Sequence, residues 1–200
     1  EVSEVDGVDV EEVRPTSDVV HDPRVEALEM AVALVGATDR DALLAARPNQ
    51  RSFIVSRSGF AGVQRYAANW SGDTESTFDS LRVQVQIAAS MGLSGQNFFG
   101  ADIGGFLGAP DAELFIRWLQ FGTATPFARN HSMNTSPLRE PWRYGESTTS
   151  IVRAQIEWRY RLMPYLSSLF AQAEDRAEPV LAPTWFHFSA DSATQTQNGE

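Results

Sequence analysis

Polar side chains follow four β-prone stretches of this sequence, at the point where each stretch ends. Arg57 follows FIVS, Asp73 follows AANWSG, Asp102 follows FFGA, and TPFA is followed by Arg129, Asn130 and His131. The carboxyl ends of parallel strands open onto one mouth in a β/α barrel, so these side chains are expected to lie close together. Trp70 and Phe106 add aromatic faces beside the acids. Such a mouth suits a sugar, whose hydroxyls need hydrogen-bond partners and whose C–H faces stack on rings.

The same residues also allow interpretations that involve no chemistry. A Gly-Asp pair after a strand, as at Asp73, is typical of a turn or a helix N-cap. A lone histidine such as His131 often lies in a loop, and the glycines after Asp102 could serve only a tight turn. Trp118 lies in apolar helical spacing and is assigned to the core. Trp185 and His187 are assigned a structural role.

The elements that must position these residues alternate between strands and helices. Predicted strands cover 52–60, 66–70, the start of 96–106, where a strand feeds a glycine-rich loop, and 179–188. Predicted helices cover 23–46, with a break at Gly36 left open, 76–95 from about Phe78 with Ser76 or Thr77 as N-cap, 110–122, and 149–173. Residues 1–22 are predicted to be an acidic loop with at most a short strand near 5–10.

This alternation predicts the α/β class, with a parallel sheet covered by helices. A piece of a β/α barrel fits the order better than a complete small domain. The predicted organisation is a partial barrel over 1–188, within which 1–22 matches poorly, and a polar tail or linker to a missing C-terminal domain over 189–200.

Composition narrows the classes of partner. The chain has 26 acidic and 16 basic residues and a net charge of −10, which argues against nucleic acid because phosphate binding needs clustered positive charge. The absence of cysteine excludes disulfides, cysteine-ligated zinc and thiol nucleophiles. No apolar run reaches the roughly 20 residues of a membrane helix, so no membrane partner is expected. Every basic residue is arginine; salt adaptation and a GC-rich genome both explain this, and the choice stays open.

Four blocks in this order resemble glycoside hydrolase family 31, the α-glucosidase and α-xylosidase family. They are RSGFAGVQRYAANWSGD, FFGADIGGF, ELFIRWLQFG and PFARNHS…REPW, and the resemblance runs from about Arg51 to Phe188. It implies the C-terminal part of a (β/α)8 TIM barrel, from the nucleophile-bearing strand to the last barrel strand. It also implies a retaining hydrolase that needs no metal or other cofactor.

The resemblance assigns roles residue by residue. Asp73 matches the general acid/base and Trp70 matches an aromatic wall of the glycone pocket. Arg57, Asp102 and His131 match residues that hydrogen-bond the sugar. Phe106 and Arg129 match supports of that pocket.

The nucleophile motif departs from the family pattern. The family usually carries DMNEP before the RS strand, and the nearest string here is DVEEV at residues 9–13. This alignment makes Asp9 the tentative nucleophile and Glu12 the acid of the motif. The acids of residues 1–12 could instead bind a divalent cation, although a solvated acidic face is favoured over that interpretation.

The sequence therefore predicts a retaining α-glycosidase, first an α-glucosidase acting on terminal α-linked glucose of oligosaccharides. An α-xylosidase or a transglycosidase of the same family is the nearest alternative. The altered DVEEV supports a different class, a degenerate relative that binds an α-linked glycan without cleaving it. Linkage preference, oligomeric state and compartment are left open.

Overall fold

The computed structural model describes residues 38–196, and its strands form one parallel sheet. Strands β1 (Val55–Ser56), β2 (Ala68–Trp70) and β3 (Phe99–Gly100) lie in that order, with Ser56 opposite Asn69 and Asn69 opposite Phe99. A further parallel bridge pairs Asp102 with Arg129, just beyond β3. The predicted parallel sheet is confirmed, with strands shorter than predicted.

Four longer helices accompany the strands along the described part of the chain, and three of them follow the sequence signals closely. Helix α1 covers described residues 38–46, followed by α2 (Phe78–Leu93), α3 (Ala112–Ala124) and α4 (Glu146–Arg176). Thr77 caps α2 by accepting a hydrogen bond from the Ser80 amide, and Asp111 caps α3 through the Leu114 amide at 2.8 Å. The predicted helices from about residues 78, 110 and 149 are therefore confirmed.

The core lies between the loop after β3 and helices α3 and α4. Its buried side chains are Ile103, Leu114, Phe115, Trp118, Leu119 and Val152. Trp118 is fully buried, as predicted. Ile103, the residue directly after Asp102, belongs to this core, so packing of the core holds the backbone at Asp102 in place.

An arginine from α4 fixes the chain that follows α3. Arg159 donates to the backbone carbonyls of Gly122, Thr123, Thr125 and Pro126. These carbonyls lie at and after the C-terminal end of α3, where no further helical amide groups are available to donate to them. The contact directs the chain into the segment that ends at Arg129.

The predicted strand over 179–188 is wrong. The structure has no strand there, and a short helix α5 (Thr184–His187) occupies its second half. Val, Leu, Trp and Phe favour a strand, but Pro179 and Pro183 supply no amide hydrogen for a ladder. The Val180 amide instead donates to the Asn97 side chain at 2.7 Å.

Part of the predicted polar tail over 189–200 is a short 3-10 helix, Ser192–Thr196. The Thr194 hydroxyl donates to the Phe188 carbonyl at 3.1 Å. Within 38–196, no helix has both the length and the apolar character needed to span a membrane.

Candidate active site

The ends of the strands bring four of the predicted side chains to one edge of the sheet. Arg57 follows β1, Asp73 follows β2 and Asp102 follows β3. Arg129 joins this edge because its carbonyl accepts the Ile103 amide at 3.0 Å. The sheet therefore collects two carboxylates and two guanidinium groups, as the positions after the β-prone stretches predict.

Asp102 is the buried centre of this group. Its side chain is 0% exposed, and its Oδ1 accepts a hydrogen bond from Arg129 Nε at 2.6 Å. Its second oxygen, Oδ2, is also buried and has no hydrogen-bond partner among residues 38–196. Leaving a buried polar atom unpaired costs free energy, so this oxygen is suited to accept a hydrogen bond from a ligand hydroxyl.

Other predicted site residues affect the pKa of Asp102. Burial raises the pKa of Asp102, and the hydrogen bond and charge of Arg129 oppose that rise. The charge of His131 also lowers this pKa, whereas the charge of Asp73 raises it. Both groups thus lie close enough to act on Asp102.

Asp73 lies at the open side of the site, in a turn that only glycine permits. Its Oδ2 is 3.4 Å from Arg57 Nη1, and the side chains of Asp73 and Arg57 are 38% and 63% exposed. Gly72 has φ +76°, and a Cβ there would lie 2.9 Å from Arg57 Nε. Asp73 is not the N-cap of the following helix, because Thr77 holds that position. A carboxyl that is reachable from solvent can exchange a proton with a bound group or with water.

Two aromatic contacts line the group. The Arg129 guanidinium carbon lies 4.9 Å from the centre of the Trp70 ring, within cation–π distance. The rings of Phe106 and His131 are 5.4 Å apart at 30°. Trp70 thus supports the arginine that holds Asp102, and Phe106 supports the exposed His131.

One buried side chain near the site was not predicted from the sequence. Arg139 is 5% exposed and donates to the backbone carbonyls of Gly105 and Gly108, in the loop that carries Phe106. It is the arginine of the REPW block. The local sequence gives no indication that Arg139 is buried. The one available signal for its importance was that it lies in a block that resembles family 31.

Asp9 and Glu12 lie outside the described residues, so the tentative nucleophile has no geometry here. The acidic residues 1–12, the alternative cation site, lie outside them as well. Among residues 38–196, no three His, Asp or Glu side chains are grouped so that they could hold a metal ion.

Comparison with known proteins identifies the family. A family model described as the glycosyl hydrolases family 31 TIM-barrel domain matches residues 10–169. The chain belongs to glycosyl hydrolase family 31. The match includes every predicted site residue except Asp9, which lies one position before it begins. The described sheet and the helices within the matched range are accordingly part of a TIM barrel.

Similar proteins carry α-glucosidase names. A probable glucan 1,3-alpha-glucosidase of Oryza sativa subsp. japonica is 40% identical over 193 residues, covering 94% of this chain and 21% of its own length. Neutral alpha-glucosidase C of Mus musculus is 40% identical over 158 residues, covering 79% of this chain and 18% of its own length. This family 31 chain therefore spans about a fifth of the length of these curated relatives.

A solved structure shares both sequence and fold with this family 31 chain. The crystal structure of a family 31 alpha-glucosidase from Bacteroides thetaiotaomicron superposes with a TM-score of 0.80 at 40% identity. The alignment covers 86% of this chain and 29% of that one.

Proposed function

We propose that the protein is a retaining α-glucosidase that removes terminal α-linked glucose from oligosaccharides by double displacement. The observation that carries this proposal is the arrangement around Asp102. A buried carboxylate held by Arg129 keeps one oxygen without a donor among residues 38–196, next to the charges of Asp73 and His131. Such a set can fix the hydroxyls of one sugar ring while a second carboxyl reaches the glycosidic oxygen.

Asp73 is proposed as the general acid/base. In the first step its carboxyl gives a proton to the glycosidic oxygen, while a carboxylate attacks the anomeric carbon and the C–O bond breaks. In the second step the Asp73 carboxylate takes a proton from water, and that water releases glucose from the enzyme. Partial exposure of Asp73 supports this role, because the acid must meet first the leaving group and then water.

Asp9 is proposed as the nucleophile. A retaining enzyme needs a second carboxyl about 5–5.5 Å from the acid/base. Asp102 is not assigned that role, because one of its oxygens is held by Arg129 and the other is proposed to accept a sugar hydroxyl. The alignment of DVEEV with the family motif supports Asp9, and the attribution depends on that alignment alone.

The relatives support glucose as the preferred sugar. Both the plant and the mouse relatives are named as α-glucosidases, and the plant name specifies a 1,3-glucan. Arg57, Asp102 and His131 are proposed to hydrogen-bond the glucosyl unit, with Trp70 as a wall of its pocket. Phe106 and Arg129 are proposed to support these groups.

The role of Asp73 can be tested with leaving groups that differ in their need for a proton. In an Asp73→Ala variant of the complete natural polypeptide, cleavage of maltose is expected to fall by about 10²–10⁴-fold, the usual contribution of a positioned acid. Formation of the glycosyl-enzyme from α-glucosyl fluoride should fall far less, because fluoride leaves without protonation. Azide should then accelerate turnover and yield α-glucosyl azide, since it needs no general base.

An Asp79→Ala variant is the matched control, because Asp79 is an exposed acid in the first turn of α2. It should keep full activity on both substrates. Equal losses on maltose and on the fluoride in Asp73→Ala would contradict the acid/base role.

The non-catalytic alternative gives a different result in the same experiment. A protein that only binds α-linked glycans would cleave neither substrate in its unsubstituted form, yet would bind oligosaccharide by calorimetry. Faster cleavage of α-xylosides than α-glucosides would identify an α-xylosidase. Transfer of glucose to added sugars instead of water would identify a transglycosidase.

A further inference from the structure

Arg139 is a buried cation enclosed by the glycine-rich loop that follows β3. Nη1 donates to the Gly105 carbonyl, and Nη2 donates to the Gly108 carbonyl at 3.0 Å. Burial lowers the pKa of Arg139, while the neighbouring Tyr144 and Asp102 oppose that shift. A buried guanidinium is costly to maintain, so its contacts with two carbonyls of one loop indicate a specific task.

The loop needs such a contact because three of its residues are glycines in left-handed backbone conformations. Gly104, Gly105 and Gly108 have φ values of +88°, +80° and +88°. Glycine loses more conformational entropy on folding than any other residue, so this shape depends on outside contacts. The guanidinium fits closely, since a Cβ at Gly104 would lie 3.2 Å from Arg139 Nη1.

The same loop contacts two other parts of the site. The Phe106 amide donates at 2.7 Å to the carbonyl of Thr74, the residue after Asp73. The Phe106 ring lies against His131. The arginine's own carbonyl accepts the Asn130 side-chain amide at 3.1 Å, next to His131. Arg139 therefore connects the loops after β2, β3 and residue 129.

We propose that Arg139 is a positioning residue for the glucosyl-binding site. It acts indirectly, by holding the loop over 102–108 in the shape that presents Asp102 and seats Phe106 against His131. This inference rests on the proposed function, because it assigns the loop to the binding of the same glucosyl unit.

Replacing Arg139 removes the donor to the carbonyl of buried Gly105 and the donor to the carbonyl of exposed Gly108. In Arg139→Met, the Gly105 and Gly108 carbonyls lose their partners and the loop can move to find others. A misplacement of about 1 Å can lower catalysis by about 10²-fold, so kcat/KM is expected to fall about 10- to 100-fold. Most of the change should appear as a higher KM, because sugar-binding groups are displaced rather than the proton carrier.

The experiment compares variants of the complete natural polypeptide. Arg139→Met, Arg139→Lys and Arg139→Ala are measured beside Arg117→Met, the same change at an exposed arginine of α3 that pairs with Glu113 at 3.9 Å. The readouts are kcat and KM on an aryl α-glucoside, and the Kd of the glucose-shaped iminosugar deoxynojirimycin by calorimetry. A further readout is hydrogen–deuterium exchange of peptides covering 102–108.

Arg139→Met is expected to raise KM and the deoxynojirimycin Kd about tenfold or more and to speed exchange over 102–108, with Arg117→Met unchanged. Lysine should give intermediate values, because one ammonium can reach the carbonyls but cannot reproduce the guanidinium fork. Should Arg139→Ala be poorly folded alone, guanidinium ion at about 10–50 mM, well below the molar concentrations that denature proteins, should restore fold and binding together.

A merely structural arginine would behave differently. It would lower the unfolding temperature of Arg139→Met while the folded fraction kept the KM, the Kd and the exchange pattern of the unsubstituted protein, and that result would overturn the inference. If the unsubstituted protein neither cleaves nor binds α-glucosides, the proposed function fails and so does the assignment of the loop to glucosyl binding. Whether Arg139 holds the loop in shape is decided separately, by the exchange measurement.

Discussion

The Asp102–Arg129 pair predicts an asymmetric response to losing either partner. Asp102 is fully buried, whereas the Arg129 side chain is 30% exposed and can be solvated when its partner is removed. Arg129→Met should therefore be costly because it leaves a carboxylate buried without its cation. Asp102→Asn should change the free energy of unfolding at pH 7 by only about 1 kcal/mol, because the amide oxygen can still accept from Arg129.

Protonation sets an upper limit on the cost of Arg129→Met. Removing one partner of a buried pair costs about 3–5 kcal/mol. Asp102 can escape the penalty by binding a proton, which for an ordinary carboxyl pKa of 3.8 costs about 4.4 kcal/mol at pH 7 and about 1.7 kcal/mol at pH 5. We therefore expect a loss of about 3–4 kcal/mol at pH 7 and less than about 2 kcal/mol at pH 5.

The direction of this pH dependence follows from the raised pKa of Asp102. The folded state holds the proton more tightly than the unfolded state, so the ionised group is unfavourable above the unfolded pKa of about 3.8. The loss of folding free energy caused by ionising Asp102 is absent below pH 3.8 and grows as the pH rises. It stops growing once the pH exceeds the pKa of Asp102 in the folded state. Without Arg129 the folded pKa rises further and the penalty grows over a wider range.

The assay is urea unfolding at pH 5 and pH 7, followed by tryptophan fluorescence, for both variants, the double variant and Arg117→Met as control. The double variant should recover most of the stability lost in Arg129→Met. An equal loss in Arg129→Met at both pH values would refute the reasoning. So would a loss in Asp102→Asn as large as that in Arg129→Met.

Three further changes test contacts of the site. Gly72→Ala should lower the free energy of unfolding by about 1–3 kcal/mol and should lower kcat/KM, because the backbone at φ +76° is left-handed and the new Cβ would press against Arg57. Unchanged activity would show that the turn before Asp73 tolerates a side chain. Phe106→Ala should raise KM for α-glucosides severalfold while thermal unfolding shifts little, since it frees the His131 ring, and an unchanged KM would remove Phe106 from the pocket. Gly100→Ala should prevent stable folding, since its Cβ would overlap a neighbouring carbonyl oxygen, and a soluble variant with native circular dichroism would contradict that packing.

Local signals in the sequence were sufficient for much of the fold. Thr77 and Asp111 are side chains that cap helices, and each precedes an apolar pattern of helical period, so α2 and α3 could be predicted with their starts. Asp73 and Asp102 follow short β-prone runs, and strand ends meet at one edge of a parallel sheet. Their proximity therefore followed from position alone.

Contacts between distant segments could not be predicted in the same way. The run over 179–188 has strand composition, but its backbone is paired by the Asn97 side chain, far away in sequence. Burial of Arg139 depends on three left-handed glycines in another loop. No local periodicity encodes either contact, because both depend on how the elements pack.

The central claim, a retaining α-glucosidase mechanism, is tested most directly by trapping its covalent intermediate. The complete natural polypeptide is incubated with 5-fluoro-α-glucosyl fluoride, in which the second fluorine slows breakdown of the glycosyl-enzyme, and the labelled peptide is mapped by mass spectrometry. We predict one glucosyl label per molecule on Asp9, with Asp73 unlabelled as its acid/base partner. Absence of any label in a protein that still binds α-linked oligosaccharide by calorimetry would contradict the mechanism and favour a binding protein.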